Sequence, residues 1–441
     1  TYTYTDTNKM TFNGMFRADD LSVAINLIVL LAGMLSVMIS SSYILKAEDP
    51  GSMPLAEYYV LLTFSVLGTM LVGSAGDLVI VFLGIEMTAL SSYALTGFAR
   101  RRLTSLEGAL KYFLLGLFAS AILVYGMAWI YGATGTTSLD GIAQALSAAD
   151  VDSTDASLLL AILLLVIGLA FKIAAVPFHM WTPDAYEGAP TPVTAYMSAI
   201  PKIAGFVAMI RILVQALGPV KDEWIILVGV LAVVTMWFGN IVAISQRSVK
   251  RMLAYSSIGH TGYLLVGFAA YTTAHPTDEI AISSVIFYLM AYTIMNIGAF
   301  AVVSWIQQRG RGPNLEDFNG LASQSPLMAV AMTIFMLSLM GIPPLVGFYG
   351  KYYLILAGIE ADMIWLPISI VLASAASAFF YLRVVVAMYF SEPIHEAPQG
   401  ESKMLGIAIG IMAIGTIVAG LFSSYLLDLA QVWVRSVGVF G

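Results

Sequence analysis

Residues 157–179 read SLLLAILLLVIGLAFKIAAVPFH, an apolar run that closes on Lys172 and is interrupted at Pro177 before His179. No charge falls between Ser157 and Phe171, and a membrane-spanning helix needs roughly 20 predominantly apolar residues. A charge at membrane depth costs at least about 2.5–3.5 kcal/mol on insertion scales, so a lysine there is a functional candidate by default. Proline removes a backbone donor and frees a carbonyl, and at this depth the freed groups are tolerated only against protein or a water-filled cavity. The stretch therefore predicts a broken membrane helix that carries a protonatable amine, with an ordinary proline kink as the alternative.

Further apolar stretches of spanning length occur near 21–44, 56–74, 77–98, 105–132, 191–218, 222–245, 249–271, 279–308, 324–358, 363–391 and 403–429. With 157–176 they predict an all-α polytopic membrane protein of about twelve transmembrane helices, one bundle over residues 1–441. The short Gly73-Ser74-Ala75-Gly76 connection makes 56–74 and 77–98 a helical hairpin. Composition agrees: 59% of the 441 residues are hydrophobic and 11% charged, against roughly a quarter charged in a soluble domain. Mean hydropathy is +0.87.

Cysteine is absent, which removes disulfides, thiolate metal sites and iron–sulfur ligation. The four histidines are scattered at 179, 260, 275 and 395. No redox centre or metal site held by this chain is expected. The net charge of −7 offers no basic face for nucleic acid. Thr1 to Asn13 is polar and does not have the pattern of a signal peptide.

Lysine and arginine fall unevenly between alternate loops, and short positive loops stay inside. Lys46, Arg100, Arg101, Arg102, Arg247, Lys250, Arg251, Arg309, Arg311 and Lys403 share one side, with Lys9, Arg17, Lys221 and Arg435 on the other. The first set is assigned to the interior and both termini to the exterior. The connection Thr136 to Asp155 then becomes an outer surface loop with room for one short helix.

Five ionisable residues are placed at bilayer depth: Glu86, Lys111, Lys172, Lys202 and Lys351. A desolvated lysine, or a carboxylate beside one, can exchange a proton near neutral pH. One such pair reads equally as an ion pair that fixes packing, but four lysines against one carboxylate leave three amines without a carboxylate. Lys351 follows a second breaker-rich stretch, GIPPLVGFYGK from Gly341, and broken helices in corresponding halves point to an ion path between inverted repeats. Pro201 adjoins Lys202. His179 and His260 are weaker candidates for the same relay, each read first as a packing residue. Gly262–Gly267 and Gly406–Gly410 are expected at close helix contacts.

Four motifs in order carry a family resemblance: FKIAAVPFHMWTPDAYEGAPTPV from Phe171, PKIAGF from Pro201, KRMLAYSSIGH from Lys250, and the Gly341–Lys351 stretch. They resemble the antiporter-like subunits of complex I, the proton-pumping NADH:quinone oxidoreductase, with subunit N nearest, from about residue 14 to the end. The resemblance implies two inverted five-helix repeats, 56–218 and 222–391, followed by a C-terminal helix at 403–429. It implies that Glu86 is the family's essential glutamate with Lys111 as its lysine partner. Lys172, Lys202 and Lys351 then match the lysines of the first broken helix, the central helix and the second broken helix. A lysine at 351 favours subunits N or L over M, and the short C-terminus favours N. Against the fourteen helices of bacterial subunit N, segment 21–44 corresponds to the third.

The implied function is proton translocation through a Glu/Lys relay, driven by quinone reduction elsewhere in the complex. NADH or another donor and the quinone are handled by other subunits, and sister antiporter-like subunits and the lipid bilayer are the partners. The membrane is a bacterial or archaeal plasma (inner) membrane, with mitochondrial inner and thylakoid membranes as alternatives. Two other readings remain: a subunit of a multisubunit sodium/proton antiporter, which shares the broken-helix motifs, and a structural membrane subunit whose charges only hold the arm together.

Overall fold

The computed structural model describes residues 9–45, 54–148, 153–271, 278–396 and 403–435. The first eight residues, Lys46, His275 and part of the 136–155 loop lie outside the described residues. A short hairpin, β1 (Lys9–Thr11) with β2 (Phe16–Ala18), precedes the helices α1 (Asp20–Leu45), α2 (Leu55–Gly73), α3 (Leu78–Thr96) and α4 (Leu103–Thr134). The expected short helix of the outer loop is α5 (Leu139–Leu146), started by the Ser138 side chain. Then come α6 (Ala156–Lys172), α7 (Trp181–Gly188), α8 (Thr191–Met197) and α9 (Ile200–Met209), which runs into a π-helical turn at Ile210–Ala216. The second half holds α10 (Ile225–Ile244), α11 (Val249–Ala269), α12 (Asp278–Gln307), α13 (Leu321–Gln324), α14 (Pro326–Met340), α15 (Val346–Glu360) and α16 (Trp365–Phe390). The chain closes with α17 (Lys403–Leu421) and α18 (Ser423–Arg435).

Nine helical stretches among the described residues are long and apolar enough to cross a membrane. The other three expected segments differ for identifiable reasons. Segments 157–176 and 324–358 are broken, leaving short apolar helices at Ala156–Lys172 and Pro326–Met340. Segment 249–271 forms α11 without a break, but its Lys250, Arg251, Ser256, Ser257, His260 and Thr261 make it polar, and it is shielded instead by protein. Segment 403–429 also differs: α17 ends at Leu421 and a separate helix, α18, starts at Ser423 and runs on to Arg435.

A hairpin of two helices, a long helix, a broken helix and a further helix occur in that order twice, as α2 to α9 and as α10 to α16. Both hairpins close backbone to backbone. A Cβ on Gly68 would lie 2.7 Å from the Gly84 carbonyl, and one on Gly239 would lie 2.4 Å from the Gly259 nitrogen. Small residues of this kind are how membrane helices approach closely. Gly262 fits the same expectation, whereas Gly406 and Gly410 face open space, so the contact expected there is not made among the described residues.

The spans differ in shielding. Across the most apolar window of Thr191–Ala216 every residue is buried, and 89% of the Ile280–Gln307 window is, against 33% for α4. The helix carrying Lys202 thus forms the axis of the bundle, while α4 turns Leu106, Leu110, Phe113, Leu114 and Phe118 outward. Bridges join Phe16 to Ala75 and Asp77 to Ser138 at one end, and Ser248 to Asn314 at the other. Those are the loops that charge asymmetry assigned to opposite sides.

Candidate functional site

Lys172 is the last residue of α6, where the helix stops. Its Nζ donates to Glu86 Oε1 of α3 at 2.8 Å and to Ser120 Oγ of α4 at 2.8 Å, and Ser120 donates in turn to Glu86 Oε1 at 2.5 Å. The side chains of Lys172 and Glu86 are 7% and 16% exposed. Beyond Lys172 the chain passes through Ala174, held in left-handed backbone (φ 62), and a cis Val176–Pro177 bond before α7 begins. Side chains satisfy the freed backbone: Trp181 Nε1 donates to the Phe171 carbonyl, Thr261 Oγ1 to the Ile173 carbonyl at 2.8 Å, and Val176 N to Thr235 Oγ1. The break therefore lies against protein, as a nonhelical stretch at depth requires.

Lys202 is the third residue of α9, in its first turn, just after the chain is interrupted at Ser198-Ala199 ahead of Pro201. It is 3% exposed and donates to Ser257 of α11, to Oγ at 2.5 Å and to the carbonyl. The Ser257 carbonyl also accepts from Thr261, so Thr261 joins the broken end of α6 to the Lys202 site. Tyr292 of α12 donates to Ser257 Oγ at 2.8 Å and lays its ring 5.3 Å from the amine.

His260 stands one turn beyond Ser257 on α11. Its Nδ1 pairs with the Tyr288 hydroxyl at 2.6 Å and its Nε2 with the Tyr381 hydroxyl at 3.0 Å, and its ring centroid lies 5.2 Å from that of Tyr292. Both Lys202 and Lys351 are within electrostatic reach of the imidazole. Lys351 lies in α15 just after the second break, where Gly341 has φ 94 and Pro343–Pro344 is cis. Its Nζ donates to the carbonyls of Leu339 and Met340 at 3.0 and 2.9 Å, the orphaned end of α14, and faces the Tyr263 ring at 4.7 Å. Among the described residues no carboxylate lies within 4 Å of Lys202 or Lys351.

Glu86, Ser120, Lys172, Thr261, Ser257, Lys202, Tyr292, His260, Tyr263 and Lys351 thus form a buried row that is hydrogen-bonded from Glu86 to Lys172 and from Thr261 to Tyr292, joined through the Ile173 carbonyl, and in ring contact from Tyr292 to Lys351. Every member is an amine, a carboxylate, an imidazole or a hydroxyl, each able to hold or pass a proton.

Two of the expected positions stand apart from it. Lys111 does not meet Glu86: it is 44% exposed and pairs with Asp184 at 2.8 Å and with Glu107, one turn back, at 2.6 Å. The reason is axial. Ser120, which touches Glu86, is nine residues further along α4, about 13 Å at the helical rise. The partner of Glu86 is therefore Lys172. His179 rests its ring on Phe238, centroids 4.5 Å apart, and none of the row's hydrogen bonds reaches it among the described residues.

Sequence reasoning missed the hydroxyls. Tyr288, Tyr292 and Asn296 fall at i, i+4 and i+8 of α12, one face of a helix, and Asn296 Nδ2 donates to the Tyr292 hydroxyl. That spacing, with Ser257 and Thr261 at i, i+4, was the available signal. Arg211 was missed as well. Fully buried in the π-helical turn, it grips Asp19 with two parallel bonds of 2.8 Å and donates to the Gly73 carbonyl. Gln215 extends the network to Asp140, which Arg17 also contacts.

A family profile described as NADH:quinone oxidoreductase/Mrp antiporter, TM, matches residues 75–378. The NADH-quinone oxidoreductase subunit N of Trichlorobacter lovleyi is 44% identical over 428 residues, 96% of this chain and 85% of that protein. Among solved structures, a chain of respiratory complex I from Thermus thermophilus with bound aureothin has a TM-score of 0.79 at 31% identity, covering 96% of this chain and 89% of that one. A chain of the Mrp complex from Dietzia sp. has a TM-score of 0.84 at 24% identity, with 97% and 86% covered.

Proposed function

The chain belongs to the NADH:quinone oxidoreductase/Mrp antiporter transmembrane family, and from that premise we propose that it moves protons through the Glu86–Lys172–Lys202–Lys351 row as subunit N of a complex I-type oxidoreductase. Its relatives include a protein named NADH-quinone oxidoreductase subunit N and a chain of respiratory complex I. The observation that carries the proposal is the ligation of Lys202 and Lys351. A buried amine held only by hydroxyls, carbonyls and ring faces lacks the fixed counter-charge that would lock it in the protonated state.

The mechanism is electrostatic. When Lys172 leaves Glu86 or Glu86 takes up a proton, the field on Lys202 changes, and a proton passes between Lys202 and Lys351 by way of Ser257, Tyr292 and His260. Segments 56–218 and 222–391 serve as two inverted repeats, with 403–429 added, so that each broken helix offers one lysine to the row. Lys111, exposed on α4 beside Asp184, faces outward from the bundle, where a sister antiporter-like subunit would sense or set its charge. Electrons from NADH or another reduced donor reach the quinone on other subunits, and this chain binds neither. The membrane is the bacterial plasma membrane, in line with the bacterial source of the relatives.

Reconstitution of the purified complex in liposomes tests the reading. Glu86→Gln and Lys202→Ala should each lower protons moved per electron in the fraction of complex that assembles, and unchanged ratios in both would refute it. Sodium/proton exchange is the second reading, supported by the fold shared with the Mrp chain. Sodium-dependent proton movement by the chain's own membranes without electron transfer would favour it.

A further inference from the structure

Lys250 was counted among the inner loop charges, but it is 3% exposed. As the second residue of α11 it turns inward, and its Nζ donates to the Ala189 carbonyl at 2.5 Å and the Glu187 carbonyl at 3.2 Å. These carbonyls belong to the C-terminal end of α7 and its capping residue, the second half of the first broken helix. Lys351 is held in the same manner by the last carbonyls of α14, the first half of the second broken helix. Among the described residues two buried lysine amines thus sit on the terminal carbonyls of broken-helix halves, and only one of them belongs to the row above.

We propose that Lys250 is a proton carrier at the inner mouth of the path, loading the Lys202 site, and that Glu187 passes it protons from the inner water. This rests on the relay reading of the preceding subsection. Three placements support it. Lys250, Ser257 and Thr261 fall at i, i+7 and i+11 of α11, one face of the helix, with Lys250 about 10 Å below the serine that holds Lys202. Glu187 is half-buried, its carboxylate accepting from Ser248 Oγ at 2.9 and 3.2 Å, so it reaches both solvent and the α11 terminus. The neighbouring charges that act on the amine are Glu187 of α7 and Arg102 at the head of α4. The other nearby charges, Asp184 and Arg251, are committed to each other at 3.0 Å and, through Asp184, to Lys111.

The step moves only a proton. Glu187 gives one to the free amine of Lys250 and is recharged from water. The ammonium then gives up a proton toward Lys202, the N–H bonding pair returning to nitrogen as its lone pair, with no bond to carbon changed and no electron transferred.

The competing role is mechanical, since a lysine at a helix C-terminus satisfies orphan carbonyls and suits the helix dipole. Arginine separates the two roles, because it keeps the donors and the charge but cannot deprotonate in a protein. Lys250→Arg and Lys202→Arg are compared in the reconstituted complex, reading assembly and protons moved per electron. The expected result is that both assemble and both lose this chain's share of the proton yield. Normal yield in Lys250→Arg with loss in Lys202→Arg reduces Lys250 to a cap and overturns the inference alone. Normal yield in both overturns the relay reading with it. Should Lys250→Arg not assemble, Glu187→Gln, which keeps an acceptor for Ser248 but cannot ionise, decides: loss of the same share supports the inference, and wild-type yield refutes it.

Discussion

Ser120 bridges Glu86 and Lys172, donating to the carboxylate at 2.5 Å and accepting from the amine at 2.8 Å, while amine and carboxylate themselves meet at 2.8 Å. Three helices, α3, α4 and α6, are joined at one point in the bilayer. Stripping one partner from a buried pair leaves an uncompensated charge and costs about 3–5 kcal/mol, whereas removing both can be nearly neutral. Lys172→Met should therefore lower the amount of assembled complex, and Glu86→Gln with Lys172→Met should restore much of it without restoring proton yield. Quantifying the chain in membranes alongside proton yield checks both halves. Recovery of pumping in the double variant would assign the pair a packing role.

The spans were legible because an apolar run of that length has few alternatives, and the charges within them because insertion is costly. Which charges meet was not legible. Lys111 and Glu86 are each placed at depth by the pattern of their own helix, and only the crossing of α3, α4 and α6 decides that Ser120 and Lys172, not Lys111, face the glutamate. The linking hydroxyls were hidden for another reason: serine and threonine in membrane helices commonly bond their own backbone, as Ser92 does to the Thr88 carbonyl. Arg211 lies seven residues from the expected end of its span, where a long side chain ordinarily reaches the interface. The fold turns it inward onto Asp19 instead.

Tyr292→Phe keeps the ring over Lys202 and removes the hydroxyl that donates to Ser257 and accepts from Asn296. A neutral hydrogen bond is worth about 1 kcal/mol net, so assembly should hold while proton movement slows. The rate of proton uptake into liposomes, compared at equal quinone reduction, is the measurement. An unchanged rate would take Tyr292 out of the path and leave Ser257 as the end of the Lys202 site.

Asp19 and Arg211 are both fully buried and tie the start of α1 to the end of α2 and to the helix of Lys202, far from the row along α9. Asp19→Asn leaves the guanidinium unpaired and should reduce the chain in membranes by an amount consistent with about 3–5 kcal/mol. The complex that does assemble should pump normally per electron. A fall in proton yield within the assembled fraction would instead make this network part of the path.

Gly350 and Tyr288 test whether His260 matters through its hydroxyl partners. A Cβ on Gly350 would lie 2.1 Å from Tyr288 Cδ2, so Gly350→Ala must displace a buried ring whose hydroxyl holds His260 Nδ1 at 2.6 Å. Overpacking of this kind costs about 1–3 kcal/mol, enough to shift the ring without unfolding a bundle of this size. Tyr288→Phe removes the same hydrogen bond while leaving the packing intact. If His260 links Lys202 to Lys351, both variants should assemble and both should slow proton uptake, Gly350→Ala at least as much as Tyr288→Phe. If only Gly350→Ala is slow, the clash acts by moving α15 and with it Lys351, one residue along from the glycine, and the imidazole is a packing residue after all. Proton uptake by the two variants, read beside the abundance of each, separates these outcomes because only the first requires the hydroxyl.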